Sequence, residues 1–262
     1  MSAPRLEITD LEIRFGRRLV VAIDELAVGA GEIVGLAGES GSGKSLTALA
    51  VLGLAGRVGA TVSGRIRLGG DDLLLMNESR YRELRGRRVA AIFQNPAAAF
   101  SPVFRVGDVV IRALRRHGLA RREAAERAAQ AMRSVLLPPE LLRRYPSELS
   151  GGQLQRVAIA LALALRAEVL LADEPTSALD VTVQAEVLEL LRELRDSADI
   201  GGMSILFISH DLAVVAELCD RVAVLRAGSI VEQGPAAEIM TAPRHPYTAE
   251  LLAAVPVIPA EG

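Results

Sequence analysis

The sequence has 262 residues, 50% of them apolar and 24% charged, with 30 Lys and Arg against 32 Asp and Glu. That balance excludes a disordered chain and a generally basic nucleic-acid or membrane-coating protein, and the length suits one or two domains around a large core. A single cysteine, Cys219, excludes an internal disulfide and a Cys/His metal framework.

The opening residues have no apolar stretch of signal-peptide length. Later apolar stretches are broken by Arg, Glu or Gly well short of the ~18 residues of a membrane span, so the chain reads as soluble and cytoplasmic. Leu6 and Ile8, then Leu11, Ile13 and Phe15, alternate with polar neighbours as a half-buried strand does. The phase slips at Thr9-Asp10, which predicts a turn or bulge. Residues 33–37 form a short apolar run ending at glycine, and residues 46–54 follow as a helix. Continuous apolar runs recur at 89–93, 169–172 and 205–208, the pattern of strands covered on both faces. Between the last two lies a helix with Val183, Val187, Leu190, Leu191 and Leu194 on one face. Strand, helix, strand in this order predicts α/β architecture.

Residues 97–144 differ, being rich in Ala, Arg and Leu and helical in period, and are bounded by Pro96 and Pro146. Ten arginines against four acids between Arg105 and Arg144 make the segment basic. It reads as a helical subdomain inserted in the α/β core, its charge either a contact surface for anionic lipid or a partner, or a solvated face. Short strands and a terminal helix with Leu251 and Leu252 follow Gly228.

Gly38-Glu39-Ser40-Gly41-Ser42-Gly43-Lys44-Ser45 fits G-x-x-x-x-G-K-[ST], after an apolar strand and opening a helix. Glycines let successive backbone N–H groups converge on phosphate oxygens, and the helix N-terminus adds a favourable dipole. Lys44 supplies charge for the β- and γ-phosphates, and Ser45, followed by Leu46 in the helix, offers a hydroxyl to Mg²⁺. This predicts a nucleotide site. A second element, Leu170-Leu171-Ala172-Asp173-Glu174, is a buried strand ending in two acids. Strand alternation predicts that they diverge, Asp173 toward Mg²⁺ and Glu174 toward the attacking water as general base.

Leu149-Ser150-Gly151-Gly152-Gln153, 23 positions before Asp173 counted from Ser150, resembles the signature of ATP-binding cassette (ABC) ATPases. The resemblance covers essentially residues 5–235. It implies a P-loop NTPase fold of ABC type: a mostly parallel core sheet flanked by helices, N-terminal antiparallel strands and the inserted helical subdomain. Residues 1–262 are then one ABC ATPase domain, with 1–96 and 145–235 as catalytic core, 97–144 as helical subdomain and 236–262 as tail. Phe15 resembles the aromatic that stacks on adenine, where the family usually has Tyr. Gln94 resembles the Q-loop glutamine that senses Mg²⁺ and the attacking water. Ser177-Ala178-Leu179-Asp180 resembles the D-loop, in which Asp180 also suits a helix cap, and His210 resembles the switch histidine that contacts the γ-phosphate and Glu174.

In this family the signature loop completes the ATP site of a second subunit. The resemblance therefore implies ATP with Mg²⁺ as cofactor, a second ABC ATPase as partner (a paralogue, or an identical chain), two permeases, an extracytoplasmic solute-binding protein acting indirectly, and no nucleic acid. It places the chain peripherally on the cytoplasmic face of the inner membrane. Phe93-Gln94-Asn95-Pro96 with Phe100-Ser101-Pro102, and His245-Pro246-Tyr247-Thr248, resemble the peptide/nickel importer ATPases. Another reading of the latter is a proline turn capping a last helix, with His245 and Tyr247 at the surface. Larger members of that subfamily carry a cysteine-containing C-terminal extension, and in length this sequence resembles the shorter nickel-type subunits. Metal-chelate, dipeptide and oligopeptide import stay open. The alternatives are a soluble ABC ATPase acting outside transport and a regulatory nucleotide-binding module without turnover.

Overall fold

The computed structural model describes residues 4–96, 100–177, 179–196 and 202–254. In chain order it runs through strands β1 (Leu6–Phe15), β2 (Arg18–Val28) and β3 (Ile33–Ala37), helix α1 (Lys44–Val51), and strands β4 (Thr61–Leu68) and β5 (Asp71–Asp72). Helix α2 (Glu78–Leu84), strand β6 (Val89–Ile92), and helices α3 (Val106–Arg116), α4 (Arg121–Ser134) and α5 (Gly151–Leu165) follow. Strand β7 (Val169–Asp173), helix α6 (Val181–Asp196), strand β8 (Ser204–Ser209) and helix α7 (Leu212–Leu218) come next. The last elements are strands β9 (Arg221–Arg226) and β10 (Ser229–Pro235) and helices α8 (Ala236–Thr241) and α9 (Pro246–Ala253). The chain divides into two compact units, Glu78–Ile205 forming one and the segments on either side forming the other, so β8 starts in one and ends in the other.

In the unit built from both ends of the chain, the strand order is β5-β4-β1-β2-β10-β9-β3. β1 pairs antiparallel with β2 and β4, burying Leu6, Ile8, Leu11 and Ile13 completely. The slip expected at Thr9-Asp10 is a bulge: Asp10 has φ +48, and the register of β1 against β4 shifts between Thr9 and Glu12. Gly64 lies opposite, where a Cβ would collide with the Asp10 carbonyl oxygen.

β3, buried at all five positions, runs parallel to β9 with Val34 opposite Arg221 and Ala37 opposite Val224. Burying each such aliphatic side chain contributes about 1.5–3 kcal/mol, so a strand covered on both faces has a firmly set register. Asp220 clamps its start, accepting from Ile33 N at 2.8 Å through its carboxylate while its own N–H donates to Ile33 O at 2.9 Å. Carried one residue further, the register sets Gly38 against Leu225, whose carbonyl oxygen occupies the place a Cβ would need. Only glycine can leave the strand there.

In the other unit β6 and β7 are parallel, Val89 opposite Val169 and Ile92 opposite Ala172. Arg88 grips Glu168 with two hydrogen bonds of 3.1 and 3.2 Å, and Val169 N donates to Arg88 O at 2.9 Å, which pins the start of the pair. In α6 the deepest residues are Val187, Leu188 and Leu191, while Val183, Leu190 and Leu194 are half-buried. The buried stripe is thus turned toward Leu188 from the face read in the sequence, with Leu191 between Val187 and Leu188. α3 and α4 supply the expected helices after residue 100; residues 97–99, where the helical subdomain was expected to begin, lie outside the described residues. Arg122 and Arg127 pair with Glu126 and Glu123 inside the segment, and Arg144 pairs with Glu148 just beyond it. Among the described residues no helix is long and apolar enough to cross a membrane.

Candidate functional site

The glycine-rich loop joins β3 to α1. Gly38, Gly41 and Gly43 have φ of +149, +81 and +110, conformations that side chains oppose. Around Gly41 nothing lies within 4 Å of where a Cβ would be, so the middle of the loop faces open space. Ser42 N donates to Glu39 O at 3.2 Å, closing the loop on itself. Gly43 caps α1, and Thr47, wholly buried, returns two hydrogen bonds to the Gly43 carbonyl. No acidic residue occupies the first turn of α1, so its positive end keeps its field.

Lys44 is 5% exposed, and its Nζ donates to Gly38 O at 2.7 Å and to Glu39 O at 2.8 Å. Ser42 is buried as well, and its Oγ has no hydrogen-bond partner. A buried hydroxyl without a partner is costly. Inside a ring of positive-φ glycines beside a lysine, it fits a site shaped for phosphate oxygens. Phe15, 40% exposed at the end of β1, is not a core aromatic. His210, also exposed, follows β8 directly.

The acid pair stands at the end of β7. Asp173 is the last strand residue and is buried. Glu174 has already left the strand, with φ +48. Glu174 thus leaves β7 through a left-handed backbone conformation before Pro175, where the sequence suggested plain strand alternation. Gln94 Nε2 donates to Glu174 Oε2 at 2.7 Å. The reason is register: β6 and β7 pair residues 80 positions apart, and Gln94 and Glu174 continue the same offset past the strand ends. Ser177 Oγ donates to Glu174 O at 3.1 Å, and Asp180 caps α6 by accepting from Val183 N at 3.0 Å. Ala178, within the same predicted loop, lies outside the described residues.

Ser150 is the N-cap of α5. Its Oγ accepts from Gln153 N at 3.2 Å, and the Gln153 side chain accepts from Ser150 N at 3.0 Å, a reciprocal capping box. The cap uses a lone pair of Ser150 Oγ, so the hydroxyl proton stays available as a donor. Ser150 and Gly151 are exposed at this helix tip.

Two contacts escaped the sequence reading. Gln155, 1% exposed, donates from Nε2 to Pro175 O at 2.8 Å and so ties α5 to the backbone just beyond Glu174. A polar residue at a buried helical position beside Leu154 was its only trace. Tyr247, 2% exposed rather than on the surface, accepts from Glu39 N at 3.2 Å. The four-residue motif marked its place but not its contact.

Comparison with known proteins bears on these features. The ABC transporter family model matches residues 23–177, and a model for the C-terminal region of oligopeptide/dipeptide transporters matches residues 231–262. A putative peptide import ATP-binding protein of Brucella abortus (strain 2308) is 44% identical over 97% of this chain and 78% of its own length. A probable D,D-dipeptide transport ATP-binding protein of Escherichia coli (strain K12) is 45% identical over 98% and 80%. Among solved structures, a dimeric ATP-binding cassette in a post-hydrolysis state, bound to ADP and Pi, superposes with a TM-score of 0.76 at 26% identity, covering 88% of this chain and 98% of that one.

Proposed function

This chain belongs to the family of ABC transporter ATP-binding proteins, and on that premise we propose that it is the ATP-hydrolysing subunit of a peptide importer. The observation that carries the ATPase reading is the cradle, where Lys44 Nζ is held by two loop carbonyls beside the buried, unpartnered Ser42 hydroxyl. The substrate class rests on the C-terminal match at residues 231–262 and on relatives whose names specify peptide and dipeptide transport. The nickel alternative gains no support from them.

The proposed roles follow from the chemistry of each group. Loop amides of residues 41–46 and Lys44 neutralise the phosphates, and Phe15 offers an exposed ring to adenine. By the chemistry of their oxygens, Ser45, Asp173 and Gln94 would hold Mg²⁺ or its water ligands, and the metal would supply neutralisation of phosphate charge. Glu174 accepts a proton from the attacking water, and its carboxylate is aimed by the Gln94 amide at 2.7 Å. His210 donates to the γ-phosphate. Ser150 and the amides of Gly151 and Gly152 meet the γ-phosphate bound by a second ATPase subunit, a paralogue or an identical chain, and Asp180 lies along that interface. With permeases as further partners, the chain would sit peripherally on the cytoplasmic face of the membrane, and ATP would act as an interfacial switch reset by hydrolysis.

The test is the oligomeric state and turnover of Glu174→Gln. With ATP it is expected to form a stable dimer, alone or with its partner ATPase, and to lose turnover. A variant that hydrolyses at the wild-type rate, or that stays monomeric with ATP in the presence of partner ATPase and permeases, refutes the reading.

A further inference from the structure

The Gly38–Glu39 peptide group, at the entrance of the cradle, is held on both edges. Its carbonyl accepts from Lys44 Nζ at 2.7 Å, and its N–H donates to Tyr247 Oη at 3.2 Å. Lys44 Nζ also donates to the next carbonyl, Glu39 O, at 2.8 Å. The place of the ammonium is thus set by two carbonyls that flank an amide gripped by Tyr247.

Tyr247 is itself firmly fixed. Its ring is buried and lies under the Arg226 guanidinium, 4.7 Å from the ring centroid. Its backbone N–H donates to His245 Nδ1 at 3.1 Å in the cap of α9, and Glu232 accepts from the N–H groups of Arg244 and His245 at 2.8 and 3.1 Å. Arg226 directly follows Leu225, the residue whose carbonyl closes the space beside Gly38. The start of α9 is therefore anchored to β10 through Glu232 and, through Arg226, to β9, the strand whose Leu225 carbonyl borders the loop.

We propose that Tyr247 is a positioning residue of the phosphate cradle: its hydroxyl fixes the Gly38–Glu39 peptide plane, and through it the position of the Lys44 ammonium. This rests on the ATP reading above and gives the C-terminal helix a part in nucleotide binding. A peptide plane bordered by glycine rotates at little intrinsic cost, so the loop needs an outside hold to stay in one orientation. Without that hold only a fraction of molecules present the competent loop, and apparent affinity falls by the same fraction.

The experiment is a double-mutant cycle on the full chain with a fluorescent ATP analogue, read as dissociation constants well below the melting temperature. Tyr247→Phe keeps the buried ring and deletes only the hydroxyl. It is expected to weaken binding about two- to tenfold, the range of one lost neutral hydrogen bond. In a Lys44→Ala background the same change is expected to have no effect, because the group being aimed is gone. A purely structural tyrosine would lower the melting temperature and leave affinity untouched, which overturns the proposal, as does an equal loss of affinity in both backgrounds. If Lys44→Ala binds as tightly as wild type, the cradle reading itself fails and the positioning role falls with it. If Lys44→Ala is weak while Tyr247→Phe binds normally, only the positioning role is lost.

Discussion

Glu174 sits in the left-handed region, φ +48, and the residue after it is proline. An L-residue there costs about 1–2 kcal/mol that glycine avoids. Glycine also loses about 0.5–1 kcal/mol more chain entropy on folding. Glu174→Ala and Glu174→Gly remove the same side chain, including the 2.7 Å hydrogen bond from Gln94, and differ only in backbone preference. Subtracting the midpoints of the two ranges, about 1.5 and about 0.75, the glycine variant is expected to be more stable than the alanine variant by about 0.75 kcal/mol. At an ordinary φ the order is reversed by a similar amount. For a chain of this size the difference is about 1–4 °C in melting temperature. Thermal unfolding of the two purified variants without nucleotide measures it, and both should lack ATP turnover. An alanine variant that melts at or above the glycine variant refutes the idea that the wild-type backbone holds strain where the proposed general base stands.

The hairpin joining β9 to β10 turns through Ala227 and Gly228, at φ +47 and +90, with Arg226 opposite Ser229. Two residues at positive φ make a type I′ turn, in which Asn is favoured first, so Ala227→Asn is expected to raise stability by about 0.5–1 kcal/mol in denaturant unfolding; an unchanged or lower midpoint counts against the turn. His117 has its pKa lowered below the ordinary value of 6.5 by burial, with Arg116 and Arg87 adding to the effect. Above that value both folded and unfolded chains carry neutral imidazole. As pH falls through it, the unfolded chain takes the proton first, so stability is lost on acidification and the loss levels off below the folded pKa. Melting temperatures measured from about pH 7.5 down to about pH 5.5 should decline less steeply in His117→Gln than in wild type, and parallel slopes would exclude His117 as a contributor.

The sequence alone determined the elements whose signal is local. The apolar runs became β3, β6, β7 and β8, the phase slip at Thr9-Asp10 became a bulge, and the glycine-lysine spacing put a loop between β3 and α1. Such features depend on side-chain period and on φ demands of single residues, which are written in adjacent letters. What only the tertiary structure decided are contacts between distant segments. Gln94 meets Glu174 because two parallel strands share one register, Gly38 is obligatory because Leu225 lies across from it, and Tyr247 reaches Glu39 from 208 positions away. Register and helix docking are set by the burial of whole strands and faces, a collective quantity that no short stretch of sequence carries. The end of β7 shows the difference most plainly: the order of Asp173 and Glu174 along the chain was legible, but the left-handed backbone at Glu174 was not.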